Sequence, residues 1–177
     1  MNEHWSEYYG DALVVATEAG NVPLARFVLE HGQNPNLKRG MSDIQAGPWA
    51  IRAGHDQSVV IELLQLMLQH GWKHKGTASF ICAAEMGNVE AMKLLLENDG
   101  DLEEAGIWWQ VTDLESVNST GTALYRACMA GQVDSVKWLL EQGADPTAKD
   151  KIGRSCLDTA KSNGHEEIVK ILEDKVV

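Results

Sequence analysis

His70 and His74 are four residues apart, the spacing that puts two imidazoles on one helix face where they can bind zinc. Gly71 stands between them and ends a helix rather than continuing one, so no metal is expected there. The run Asp99-Gly-Asp101-Leu-Glu103-Glu104 offers the alternating carboxylates of a calcium loop. Such a loop needs glycine at its sixth position, where this chain has Glu104, and calcium is not expected either. If the chain is an enzyme, the groups best typed for acid–base work are His74, Glu85 and Asp113. No nucleophile elbow, phosphate loop, HExxH pair or dinucleotide fingerprint accompanies them, so neither a catalytic set nor a cofactor is expected. Cys82, Cys128 and Cys156 are odd in number and widely spaced. They read as small buried apolar residues of a reducing compartment rather than as nucleophiles or a disulfide framework.

The 177 residues carry 26 acidic and 15 basic side chains, a formal net charge of −11, with 44% hydrophobic residues to build a core. That balance argues against nucleic acid, whose phosphates need clustered Lys and Arg. It argues equally against an anionic membrane surface. The most apolar stretch, Val59 to Leu68, is interrupted by Glu62 and Gln65 and falls far short of the ~20 residues that span a bilayer. Glu3, Glu7 and Asp11 stand where a signal peptide would have positive charge and then an apolar run. The expected molecule is a cytoplasmic monomer, with the nucleus as the alternative location.

The elements that position these residues follow from an internal repeat. Five Ala-x-x-x-Gly stretches end in glycines at 20, 54, 87, 131 and 164, giving intervals of 34, 33, 44 and 33. The fourth unit is the fullest: Gly121-Thr-Ala-Leu-Tyr-Arg-Ala-Cys-Met-Ala-Gly131, then an apolar run to Leu140, then Glu141-Gln-Gly-Ala-Asp145. Phe27-Val-Leu-Glu-His-Gly32, Leu94-Leu-Leu-Glu-Asn-Asp-Gly100 and Gly164-His-Glu-Glu-Ile-Val-Lys-Ile-Leu172 repeat parts of it. This pattern resembles the ankyrin repeat over nearly the whole chain. In each unit a short, small-residue first helix packs closely and a glycine caps it. The second helix then presents an apolar stripe, such as Val133, Val136, Leu139 and Leu140. One unit cannot bury that stripe alone, so the fold expected is an all-α ankyrin-repeat solenoid of helix-turn-helix units with short or missing β-hairpin fingers. Residues 1–177 form one domain on this reading. Residues 1–10, with Trp5, Tyr8 and Tyr9, are the N-terminal cap; 165–177 are a C-terminal capping helix with a polar outer side.

Three departures from the repeat are the places to look for function. Unit two gains five positions between Gly54 and Gly71 and loses five between Gly71 and Ala78, which predicts a missing finger and a notch flanked by His70 and His74. Residues 104–121 form an inserted loop between units three and four. Its adjacent Trp108 and Trp109 either meet a ligand or fold back to anchor the loop, because exposing both is costly. Finally, nine acids lie between Glu85 and Glu115 against one base, Lys93, a negative field suited to a basic partner.

The ankyrin resemblance implies a protein-binding module working through its concave face. Position by position it points to Lys38, Arg39, Arg52, Glu85, Met86, Met129, Lys151 and Arg154, with Trp108 and Trp109 added by the inserted loop. The alternative is a small-molecule binder or unconventional enzyme, in which Trp49, Trp72, Trp108, Trp109 and Tyr125 wall an apolar pocket at the notch.

Overall fold

The computed structural model describes residues 12–37, 45–106 and 121–176. Among them are ten helices in five consecutive pairs. The first pair is α1 (12–18) with α2 (Val22–Glu30), and the second α3 (Ala46–Arg52) with α4 (Gln57–Gln69). Next come α5 (Ser79–Glu85) with α6 (Val89–Glu97), and α7 (Ala123–Ala130) with α8 (Val133–Glu141). The last pair is α9 (Cys156–Ser162) with α10 (Glu166–Val176). First helices stack in an inner row, α3 on α5 on α7 on α9, and second helices in an outer row from α2 to α10.

The inner row is tight because one register position is always alanine. Ala16, Ala50, Ala83, Ala127 and Ala160 are all completely buried, and a larger side chain at any of them would push two helices apart. Each first helix stops at its glycine, which takes the left-handed conformation; Gly131, with φ 76°, caps α7 through its N–H to the Ala127 carbonyl. The glycine is required twice over, since a Cβ there would lie 2.7 Å from the His165 ring.

That ring belongs to a recurring stitch. His165 Nε2–H donates to the Met129 carbonyl one repeat earlier at 3.1 Å, and His55 Nε2–H donates to the Glu18 carbonyl at 3.0 Å. Gln132 does the same with an amide, Nε2 to the Glu85 carbonyl at 3.1 Å. In each case the residue after the left-handed glycine reaches back to satisfy a carbonyl at the end of the preceding first helix, a group with no partner inside its own helix.

The second and third repeats meet differently. Helix α4 has 13 residues where α2, α6 and α8 have nine, and residues 71–78 form turns with no strand. The shortened link puts Ala78 in the left-handed region, φ 57°, a conformation costing an alanine about 1 kcal/mol. Glu104 braces it, accepting from the Ala78 N–H at 2.9 Å and the Gly76 N–H at 3.1 Å. Between repeats three and four, β1 (Ala105–Gly106) pairs antiparallel with β2 (Gly121–Thr122). The inserted segment therefore leaves and re-enters the solenoid through one short ladder.

Candidate interaction surface

The exposed side of the inner row forms a shallow face built from the last turns of the first helices. Glu18, Trp49, Arg52 and Ala53 line an open hollow of about 360 Å³ on it. Farther along stands Met86, an exposed large hydrophobic residue, and then Met129, half-buried.

Glu85 closes α5 and receives a bidentate grip from Arg126 of α7. Nη2 donates to both carboxylate oxygens at 2.8 Å and Nε to Oε2 at 3.1 Å. The Arg126 side chain is only 1% exposed, so it fixes Glu85 from beneath while the carboxylate edge stays at the surface. Arg126 occupies a position that is Cys82 one repeat earlier, and the Cys82 thiol lies under this pair. Burial above all, reinforced by the Glu85 charge, drives the Cys82 pKa far above the usual thiol range, so the group stays protonated and inert. Arg126 escaped the sequence reading, although a lone charge amid the small and apolar residues of Ala123–Ala130 was the available signal.

The finger of the fifth repeat ends the surface. Asp150 is buried at its base. Its Oδ2 accepts from Tyr125 Oη at 2.8 Å and Arg154 Nε at 2.7 Å, while Oδ1 accepts the Ile152 and Arg154 N–H groups at 3.0 and 2.8 Å. Burial alone would raise the Asp150 pKa, but the donors from Arg154, Tyr125 and Ile152 prevail and hold it below the ordinary carboxylate range. Tyr125 moves up, through burial first and its bond to Asp150 second. A rigid turn results, presenting Lys151 and an exposed Ile152 at the tip. Ile152, an apolar residue in a polar finger, was not singled out from the sequence.

Several expected site residues lie elsewhere. Trp72 is buried, its ring filling the space over Gly47 and its Nε1–H bonded to Gln45 Oε1 at 3.1 Å. Tyr125 is buried against the Asp150 turn. Neither lines the hollow beside Trp49, so the expected five-residue aromatic wall is not assembled there. The physical reason is the missing finger itself: Trp72 fills that space instead of bordering it. His74 is buried with Nε2–H on the Asn98 carbonyl at 2.6 Å. It precedes α5 whereas Glu85 ends it, a separation of roughly 10 Å for a seven-residue helix, so the two do not meet as an acid–base pair. Lys38, Arg39, Trp108, Trp109 and Asp113 lie outside the described residues.

The acidic run is largely engaged in the scaffold. Besides the Glu104 brace, Glu103 Oε1 accepts the Asp145 N–H of the next finger at 2.9 Å. Asp101 caps Glu103 at 3.1 Å and approaches Lys75 at 3.8 Å. Among the described residues no group of three or more His, Cys, Asp or Glu side chains is arranged to hold a metal ion, and no helix is long and apolar enough to cross a membrane.

The model of the ankyrin-repeat family matches residues 48–150 and 103–176. The potassium channel AKT1 of Arabidopsis thaliana is 34% identical over 99 residues, 55% of this chain and 10% of the channel. The ankyrin repeat domain-containing protein OPG015 of monkeypox virus is 42% identical over 69 residues, 36% of this chain and 16% of its own length. Protein phosphatase 1 regulatory subunit 27 of Mus musculus is 34% identical over 76 residues, 41% of this chain and 49% of its own. The chain spans at most about half the length of these relatives. Period, left-handed glycines, stacked helix pairs and matching family model agree, and the chain belongs to the ankyrin-repeat family.

Proposed function

We propose that the chain is a protein–protein interaction module that binds its partner on the inner face, from the Trp49–Arg52 hollow past Glu85 and Met86 to the tip at Lys151 and Ile152. The observation that carries this reading is the exposure of Met86 and Ile152 on rigid supports. Both are large apolar side chains held out to solvent, one beside an ion-paired carboxylate and one on a turn fixed by Asp150. Anchors of this kind, preorganised and ringed by charge, dominate interface energies. The inserted segment, with Trp108 and Trp109, is assigned to the same partner. A basic partner suits the net charge of −11, although Glu103 and Glu104 serve the fingers first. The cytoplasm is the proposed location, in keeping with three buried free thiols.

The test is affinity capture from source-cell lysate with wild type and with Met86→Asp/Ile152→Asp. Both sites are exposed, so the variant keeps its helical circular dichroism. Loss of a specifically retained protein by the variant, with binding weakened at least ~10-fold, is the expected result. Equal retention by both would remove the inner face from the account. A small-molecule role is the weaker alternative, because two of its five aromatic walls are buried in the core.

A further inference from the structure

The outer row carries a ladder of ion pairs with one rung missing. Backbone bonds that close each outer helix, Gln33 N–H to Val28 O, Trp72 N–H to Met67 O, Gly100 N–H to Leu95 O and Ala144 N–H to Leu139 O, align the repeats residue by residue. In that register one position holds a base at Arg26, Lys93 and Lys137, and another holds an acid at Glu62, Glu90 and Asp134. The base of one repeat pairs with the acid of the next. Arg26 meets Glu62 at 3.1 Å, and Lys137 meets Glu167, the α10 counterpart of Asp134, at 2.9 Å. In α4 the base position holds Gln65, so Glu90 meets no cation from the repeat before it. It takes Lys93 of its own helix instead, at 2.7 Å.

A cleft of about 890 Å³ opens where that rung is missing, between α4 and α6. Ile61, Leu66 and Leu94 give it an apolar lining, and Gln57, Gln65 and Gln69 edge it with amides along the whole of α4, roughly 20 Å. Acids outnumber bases on its walls: Glu62, Glu90 and Glu97 against Arg26 and Lys93. The two paired acids are held through Oε1 alone and are both about half exposed. A second hollow of about 510 Å³ shares the Arg26–Glu62 pair and adds Glu30 and the exposed Phe27. Glu30 and Glu97 end α2 and α6, where the negative helix terminus adds to their charge, and neither has a cation partner among the described residues.

We propose that this cleft docks a basic amphipathic helix of a partner protein, with a Lys or Arg side chain taking the missing rung against Glu90 and apolar residues lying on Ile61 and Leu94. A helix suits these walls because they are helices themselves, with their backbone groups already paired. An extended segment would find no backbone partners there, whereas a helix satisfies its own. Charge sets the sign of the partner. Two carboxylates without a counter-charge, in a chain of net charge −11, attract a basic helix and repel an acidic one. The site is separate from the inner face, and Asp134 of α8 is not among its walls.

Heteronuclear NMR of the full chain tests this with two stapled helical peptides as long as α4. Both carry one face of leucines; the remaining positions are lysine in one probe and glutamate in the other. The lysine probe should shift amides of α4 and α6 and leave α9 unmoved, and the glutamate probe should shift neither. Gln65→Lys supplies the rung from within and should weaken the lysine probe at least about tenfold, as should Glu90→Gln, which removes its acid. Both positions are exposed, so the variants keep the wild-type spectrum. Met86→Asp/Ile152→Asp should leave this binding unchanged, which separates the cleft from the inner face. The proposal is overturned if the lysine probe leaves α4 and α6 unshifted at about 1 mM, if its shifts centre on the inner face, or if the glutamate probe binds as well. Unchanged affinity in Gln65→Lys and Glu90→Gln also overturns it. So does a dimer in sedimentation that Gln65→Lys dissolves, which would assign the cleft to a second copy.

Discussion

The junction between repeats two and three and the junction between repeats three and four solve one packing problem in opposite ways. At the later junction, Gln132 covers Gly87 and donates to the Glu85 carbonyl, while Arg126 grips the Glu85 carboxylate. At the earlier one, the residue in the Gln132 position is Asn88. Its side chain turns to cap α6, accepting the Ala91 N–H at 2.9 Å, and the space over Gly54 stays open. What holds that junction is shape: Trp72 seated on Gly47, the Cys82 thiol donating to the Pro48 carbonyl at 3.7 Å, and the Glu104 brace across a finger reduced to turns. A repeat can therefore lose both its stitch and its hairpin if one large side chain fills the gap and one carboxylate satisfies the exposed N–H groups.

The comparison breaks most visibly at Trp72. Trp72→Ala removes the plug and leaves a cavity against Gly47, so it should destabilise by about 3–5 kcal/mol in urea unfolding. A cost under 1 kcal/mol would mean that the earlier junction is not held by packing. Next comes acid sensitivity, which belongs to the far end of the stack. Asp150 has a folded pKa below its unfolded value, so its stabilisation is complete above the unfolded pKa of about 4 and is lost as pH falls through the folded one. Wild type should therefore lose stability more steeply than Asp150→Asn as pH falls below the unfolded carboxylate pKa of about 4. Parallel pH profiles would contradict this. The smallest effect sharpens the contrast between junctions: Gln132→Ala should cost about 1 kcal/mol by removing one hydrogen bond. Asn88→Gln lengthens the side chain enough to reach back but gives up the cap, and should come out within about 0.5 kcal/mol of wild type.

Much of this architecture is legible in the sequence, because it rests on residues that local backbone geometry demands. Glycines at 20, 54, 87, 131 and 164 all take positive φ, and the alanine four places earlier is buried every time. The missing finger is also legible, since it needs only counting between Gly54, Gly71 and Ala78. What fills the gap is not. Gly47 carries no visible reason for its size until Trp72, 25 positions later, is seen lying on it. The acidic run reads as a free field because the groups that Glu103 and Glu104 satisfy are 42 and up to 28 residues away in the chain. Arg126 and Glu85 likewise meet across 41 residues. Tyr125 reads as a surface aromatic because nothing local announces its bond to Asp150. Side chains that act between repeats, rather than within one, are the part of the site hidden from periodicity.

The inner face as a binding surface is tested most directly by site-specific photo-crosslinking in source-cell lysate. A photoreactive residue replaces Met86 on the inner face or, as the control, exposed Asp134 on the outer row. A discrete crosslinked protein is expected from position 86 and none from position 134. The same product from both positions, or a product from position 134 alone, would contradict it.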